Sequence, residues 1–146
     1  EANLSKSSFQ NAYLERVKSQ KSVYTASNMH NIIIQNSNFQ DAQISSAIFS
    51  NAKISNTDFT NVNFQKTDMT YMESFRTIFT KTLLNKADLS FSKFIKTDFY
   101  KAQIKQASLI DTYFQDTNLL RANFFKTDKK AITYNNCILP SGDLAK

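Results

Sequence analysis

Hydrophobic and polar positions along this chain recur every five residues, and the phase set at Glu1 does not slip. Written in fives the sequence runs EANLS KSSFQ NAYLE, later NAKIS NTDFT NVNFQ KTDMT, then KTDFY KAQIK QASLI DTYFQ DTNLL RANFF. The fourth place is apolar or aromatic in 26 of 29 complete pentads, with Ser19, Ser74 and Lys129 as exceptions. The second is small or short and β-branched in 26, with Ile32, Met72 and Ile132 outside the pattern. Ten of the 13 phenylalanines take the fourth place, where chance would put about one in five, so the period belongs to the fold and not to composition. Third places favour Asn and Asp, as at Asn63, Asp68, Asp88, Asp98 and Asn123, and first and fifth places are mostly polar or charged.

Two inward places in every five match neither a 3.6-residue helix nor a long two-residue alternation. Second and fourth places point the same way in a short extended segment, after which the chain must turn. One such segment cannot bury its inward face alone, so pentads must wind into coils that stack. The pentads RANFF, KADLS, EANLS and NVNFQ identify the pattern: it closely resembles the pentapeptide-repeat family, A-[DN]-[LF]-x-x, over practically the whole chain. The resemblance implies an all-β fold, a right-handed quadrilateral β-helix with four pentads per coil. With 20 residues per coil that predicts about seven coils and a rod on the order of 35 Å long. Residues 1–135 are expected to form the β-helix, with a loose first coil at RVKSQ and KSVYT. Lys129 on an inward place, followed by Ile132, Cys137 and Pro140, predicts that regularity fails near residue 129, and residues 136–146 are expected to be the C-terminal cap and exit.

Composition narrows the chemistry. The single Gly removes the P-loop and the G-x-G-x-x-G turn, each of which needs several glycines for close backbone approach to phosphate. One His and one Cys cannot build a His/Cys zinc site, and Cys137 has no partner for an internal disulfide. No cofactor is expected. His30 sits on an outward fifth place and reads as a surface polar residue. The Asp68, Asp88, Asp128 column reads as turn chemistry, since Asp and Asn bond their own backbone, and Cys137 reads as core packing. No apolar run reaches the roughly 20 residues of a membrane-spanning helix, and no signal peptide opens the chain, so a soluble protein of undetermined compartment is expected. A start at Glu1 instead of Met is what a fragment or processed product of a longer protein shows.

Stacking at 20-residue intervals makes columns that linear reading conceals. With 18 Lys+Arg against 12 Asp+Glu the net charge is +6, and much of the excess falls in columns: Lys81, Lys101 and Arg121; Arg76 and Lys96; Lys66 and Lys86 with Lys126. A solvated surface is the plain reading of these columns; attraction to nucleic acid or anionic membrane is the sharper one. A second column set is apolar. Tyr71, Phe75, Phe91, Ile95 and Tyr113 occupy outward or corner places on the third face of adjoining coils, with Glu73 and Lys93 between them. Exposed apolar patches mark interaction sites, which makes these five the candidate partner-binding residues. For Phe75 two readings stand, exposure or an inward swing in a bulged YMESF pentad. Tyr100 and Leu120 form a smaller pair on the next face.

No catalytic constellation emerges, so the expected role is a non-enzymatic protein-binding or scaffolding module, with a homodimer among its possible partnerships and no small-molecule substrate. A repeat domain of a larger bacterial protein, such as a secreted effector, fits that role. The alternative within the family is topoisomerase interaction by DNA mimicry, as in its quinolone-resistance branch. Mimicry needs an acidic rod, and this chain is basic.

Overall fold

A computed structural model describes residues 1–146. Seven three-residue strands, β1 (Tyr13–Glu15), β2 (Ile33–Gln35), β3 (Lys53–Ser55), β4 (Glu73–Phe75), β5 (Lys93–Ile95), β6 (Tyr113–Gln115) and β7 (Thr133–Asn135), pair in parallel in sequence order. Every register offset is 20 residues, from Tyr13 against Ile33 to Tyr113 against Thr133. The other three faces are held by single bridges at the same offset, for example Asn3 with Val23, Ser8 with Asn28 and Lys18 with Asn38. The result is a parallel β-solenoid without helix. Six complete turns separate β1 from β7, about 29 Å at the usual strand spacing. This is fewer than the seven coils given by dividing the length by 20, because the chain at either end does not close a further turn.

The turns explain the first place. Every fifth residue from Lys6 to Asn136 has φ between 47° and 62°, in the left-handed region. That conformation costs roughly 1–2 kcal/mol for an L-residue and most for a β-branched one, and none of these 27 residues is β-branched. Hydrogen bonds offset the cost. In each regular pentad the first-place and fourth-place N–H groups donate to the next coil, as Lys81 N to Tyr100 O and Phe79 N to Asp98 O. The third-place N–H donates to the preceding coil, as Asp98 N to Thr77 O, and at many corners the second-place N–H closes the turn, as Thr82 N to Phe79 O. Off the seven-stranded sheet, the fifth N–H has no backbone partner. Third-place Asn and Asp take it: the Oδ1 atoms of Asp68, Asp88, Asp98 and Asp128 accept from Thr70, Ser90, Tyr100 and Lys130 at 2.8–3.1 Å. The Asp column is therefore backbone chemistry.

Second and fourth places fill the interior. Phe39, Phe59, Phe79 and Phe99 stack on one face, with Phe79 and Phe99 nearly parallel at 4.8 Å, and Phe94, Phe114 and Tyr134 stack on another. Buried second-place hydroxyls reach the carbonyl of the previous coil, as Ser92 to Met69, Thr112 to Leu89 and Thr117 to Phe94. Cys137 is fully buried, its thiol directed at Phe114 O.

The irregular pentads keep the regular backbone. YMESF does not bulge: Glu73–Phe75 pairs in register with both neighbours, Met72 and Ser74 are buried, and Phe75 is exposed. A large second-place side chain fills the space its small fourth-place neighbour leaves. The first coil, expected to be loose, follows the same path, and its weak fourth place is matched to a neighbour, Ser19 Oγ meeting the buried Tyr24 hydroxyl at 2.5 Å. Regularity also continues past residue 129, through β7 to the bridge between Asn118 and Ile138. Lys129 is tolerated because no coil follows to bury it; it is exposed, its ammonium 5.9 Å from the Phe124 ring centre. Residues 136–146 contain β8 (Cys137–Ile138) and β9 (Leu144–Ala145), an antiparallel pair folded back at the end of the last coil.

Candidate interaction face

The seven-stranded sheet is the only face with three-residue pairing, so its outward residues lie in straight rows across the coils. Each pentad on it presents first, third and fifth places to solvent and buries the second and fourth, as the exposure of residues 71–75 and 91–95 shows. Tyr71 and Phe91 stack face to face on its first-place corner, 5.0 Å between ring centres and 13° between planes. They remain 56% and 45% exposed, too open for packing within the chain to account for them. Both adopt left-handed backbone, φ 56° and 62°, where the Asn residues at 11, 31 and 51 of the same column are better suited.

Phe75 lies on the fifth-place edge, 39% exposed, with the Arg76 guanidinium 4.9 Å from its ring centre. Ile95 and Tyr113 occupy outward places but are half-buried, so the open apolar surface is narrower than the five-residue patch expected from sequence. Tyr113 is held by hydrogen bonds, donating to Gln115 Oε1 at 3.1 Å and accepting from Asn135 Nδ2 at 3.3 Å. Between the edges lie Lys53, Glu73 and Lys93 in register on β3, β4 and β5, walling a shallow depression of about 390 Å³ with Phe75 and Ile95.

Ile78, just past Arg76, is 39% exposed and carries apolar surface around the corner. Reading only the third face overlooked it, although an Ile in a place that favours Asn and Asp was the signal. The same signal marks Ile48, at 42% exposure.

The basic columns are real neighbours. Lys81, Lys101 and Arg121 occupy successive left-handed corner positions, their backbone N–H groups donating to Tyr100, Leu120 and Pro140. Tyr100 sits beside them, its ring centre 5.0 Å from the Lys101 ammonium. The neighbouring Lys101 ammonium, aided by Arg121, holds the Tyr100 phenol below its ordinary pKa despite opposing desolvation. Arg76 and Lys96 stack on the corner beyond Phe75 and Ile95, both exposed. His30 is half-buried with Nδ1 2.8 Å from Ser50 Oγ, a surface hydrogen bond with no carboxylate in it. No group of His, Cys, Asp and Glu is placed to hold a metal ion, and no helix is long and apolar enough to cross a membrane.

Comparison with known proteins agrees with this architecture. Two trypsin-treated forms of QnrB1, a plasmid-mediated fluoroquinolone resistance protein, superpose with TM-scores of 0.61 and 0.56 at 11% and 15% identity. The matches cover 98% of this chain and 83% and 81% of theirs. HetL, a pentapeptide repeat protein involved in heterocyst differentiation regulation from the cyanobacterium Nostoc, matches at 16% identity and a TM-score of 0.42, over 98% of this chain and 74% of its own. At such identities the likeness to QnrB1 is one of fold alone. No curated protein matches the chain significantly in sequence. Eight copies of the pentapeptide-repeat model match residues 26–70 and 79–109, more than half of the sequence, and the chain belongs to the pentapeptide-repeat family.

Proposed function

We propose that this chain is a non-catalytic protein-docking or scaffolding module, and that its contact surface is the sheet face carrying Tyr71, Phe75 and Phe91. The observation that supports it is the stacked, half-open Tyr71–Phe91 pair, which sits on backbone that disfavours large side chains. Aromatic residues of this kind anchor interfaces, where truncation commonly costs 2 kcal/mol or more. A double substitution Tyr71→Ser with Phe91→Ser should leave the melting temperature nearly unchanged and release whatever protein the wild type retains in affinity capture. Retention by the variant of every wild-type partner would overturn the assignment.

A second reading has its own observation, the convergence of Lys81, Lys101 and Arg121 beside Tyr100. It assigns anion binding, to nucleic acid or an anionic membrane, to that corner. Its mark is steep loss of affinity with added salt and with Lys101→Glu plus Arg121→Glu. The same excess of positive charge opposes DNA mimicry.

A further inference from the structure

Charge is divided unevenly between the faces of the rod. Opposite the seven-stranded sheet, two pentads away in a four-sided coil, lies a face built from residues 81–86, 101–106 and 121–126. The bridges of Leu83 with Gln103 and of Gln103 with Asn123 keep its rows aligned. Lys81, Lys101 and Arg121 stand along one edge and Lys86, Lys105 and Lys126 along the other, and no carboxylate falls among these residues. On the sheet side, β4 to β6 with their corners, residues 71–76, 91–96 and 111–116, hold three cations and three carboxylates. Six cations on one face equal the net charge of the whole chain, +6. Lysines that served only solubility would be interspersed with acids, as they are on the sheet side. Aromatic rings stand at both edges of the basic face. Phe125 is 60% exposed, with the Lys126 ammonium 5.4 Å from its ring centre, and Tyr100 flanks Lys101 on the opposite edge. Between the edges are amides. Asn123 accepts the Phe125 N–H on Oδ1 at 3.0 Å, which leaves its Nδ2 to donate outward, and Gln103 donates to Lys101 O at 3.4 Å, which leaves its Oε1 to accept.

We propose that this face binds single-stranded nucleic acid, with phosphates along the cationic edges and unstacked bases against the two rings and the amides between them. This rests on the reading of the Lys81, Lys101 and Arg121 corner as an anion site, extends that site across the face and gives it one ligand. A cationic track combined with aromatic platforms is how proteins hold single strands without sequence preference. A duplex keeps its bases stacked, out of reach of Phe125 and Tyr100. An anionic bilayer rewards apolar side chains placed between the cations, where this face puts Gln103 and Asn123 and only the half-buried Leu83 is apolar. Amide donors and acceptors pair instead with base edges.

Fluorescence anisotropy of a labelled single-stranded DNA of about 20 nucleotides, longer than the roughly 4–16 such a site occupies, tests it. Binding should be measurable at about 50 mM salt, and log affinity should fall against log salt with a slope of about −4, as for six phosphates neutralised on a single strand. The same oligonucleotide as a duplex should bind about fivefold more weakly or worse, because its bases offer no stacking faces. Lys86→Gln with Lys126→Gln should weaken binding about tenfold or more and reduce the slope by about 1.4. Gln suits that left-handed column, where Gln106 has φ 55°. Phe125→Ala should weaken binding about tenfold and leave the slope unchanged, since stacking releases no counterions. Arg76→Gln with Lys96→Gln, on the sheet side, should have little effect. Circular dichroism melts check that each variant folds. A duplex bound as well as the strand, full affinity in Phe125→Ala, equal loss in the sheet-side variant, or capture of phosphatidylserine vesicles in place of the strand would overturn the proposal. The anion-binding corner would survive these results, provided Lys101→Glu with Arg121→Glu abolishes whatever binding is seen. No binding of strand, duplex or vesicle at low salt would overturn both.

Discussion

Three side chains carry most of what is unusual at the residue scale. Ser74 is the only buried side-chain polar atom without a hydrogen-bond partner. It stands in the inward column between Ile54 and Phe94, where a hydroxyl has nothing to donate to. Leaving such a group dry costs about 1–3 kcal/mol, and the large Met72 beside it has already taken the space. Ser74→Ala removes the hydroxyl without changing volume much, so denaturant melts should show a gain of about 1 kcal/mol; a loss of stability would mean that the hydroxyl has a partner after all. Tyr71 and Phe91 are the other two. Their exposure was legible, because an aromatic in a first place breaks a column of Asn. The exposure of Phe75 was not, since Met72 and Ser74 depart from the pattern in opposite directions and only packing shows that the departures compensate.

At the scale of elements, the strand, the turn and the cap were legible to different degrees. Strand and turn were written in the pentad itself: inward second and fourth places, Asn or Asp in the third, and no β-branched residue in the first. The end of the solenoid was harder to place. Lys129 on an inward place suggested a breakdown, yet an inward place in the last coil has no coil beyond it, so sequence alone does not distinguish a break from an uncovered end. Tyr134 shows what that end does to chemistry. It stacks on Phe114 at 5.7 Å and is partly buried, and burial, with a smaller contribution from Cys137, raises its phenol above the ordinary pKa. A raised acid keeps its proton in the folded chain after the unfolded chain has lost it. Its share of stability is therefore complete below the ordinary tyrosine value and is lost as pH rises from there towards the folded value. Tyr134→Phe should flatten that alkaline decline in Tm measured by circular dichroism, and an unaltered slope would place its cause elsewhere.

For the whole molecule, stability runs along one axis, because each coil touches only its neighbours. Interior coils have partners on both sides; the terminal ones do not. Leu4, Phe9 and Leu14 in the first coil are only half-buried, as are Phe124 and Tyr134 in the last, whereas Phe59, Phe79 and Phe99 are fully enclosed. Backbone bonding follows the same gradient. The amides of Phe59, Phe79 and Phe99 donate at 2.7–2.8 Å to the coil that follows, while the amides of Phe124, Lys129 and Tyr134 would need a further coil to receive them. Third-place amides of the first coil, Asn3, Ser8, Tyr13 and Lys18, would need a preceding one. Opening should thus begin at the ends and advance inwards, a graded sequence of local unfolding in place of a single global event. Native-state hydrogen exchange is expected to show the amides of Phe59, Phe79 and Phe99 protected at least tenfold more than those of Tyr13 and Tyr134, with protection rising coil by coil towards the centre. Uniform protection from β1 to β7 would contradict this, since it requires every coil to open together. The aromatic rows of Tyr71, Phe75 and Phe91 lie on and just before β4 and β5, in the stretch expected to open last, so they stay in register when the ends fray.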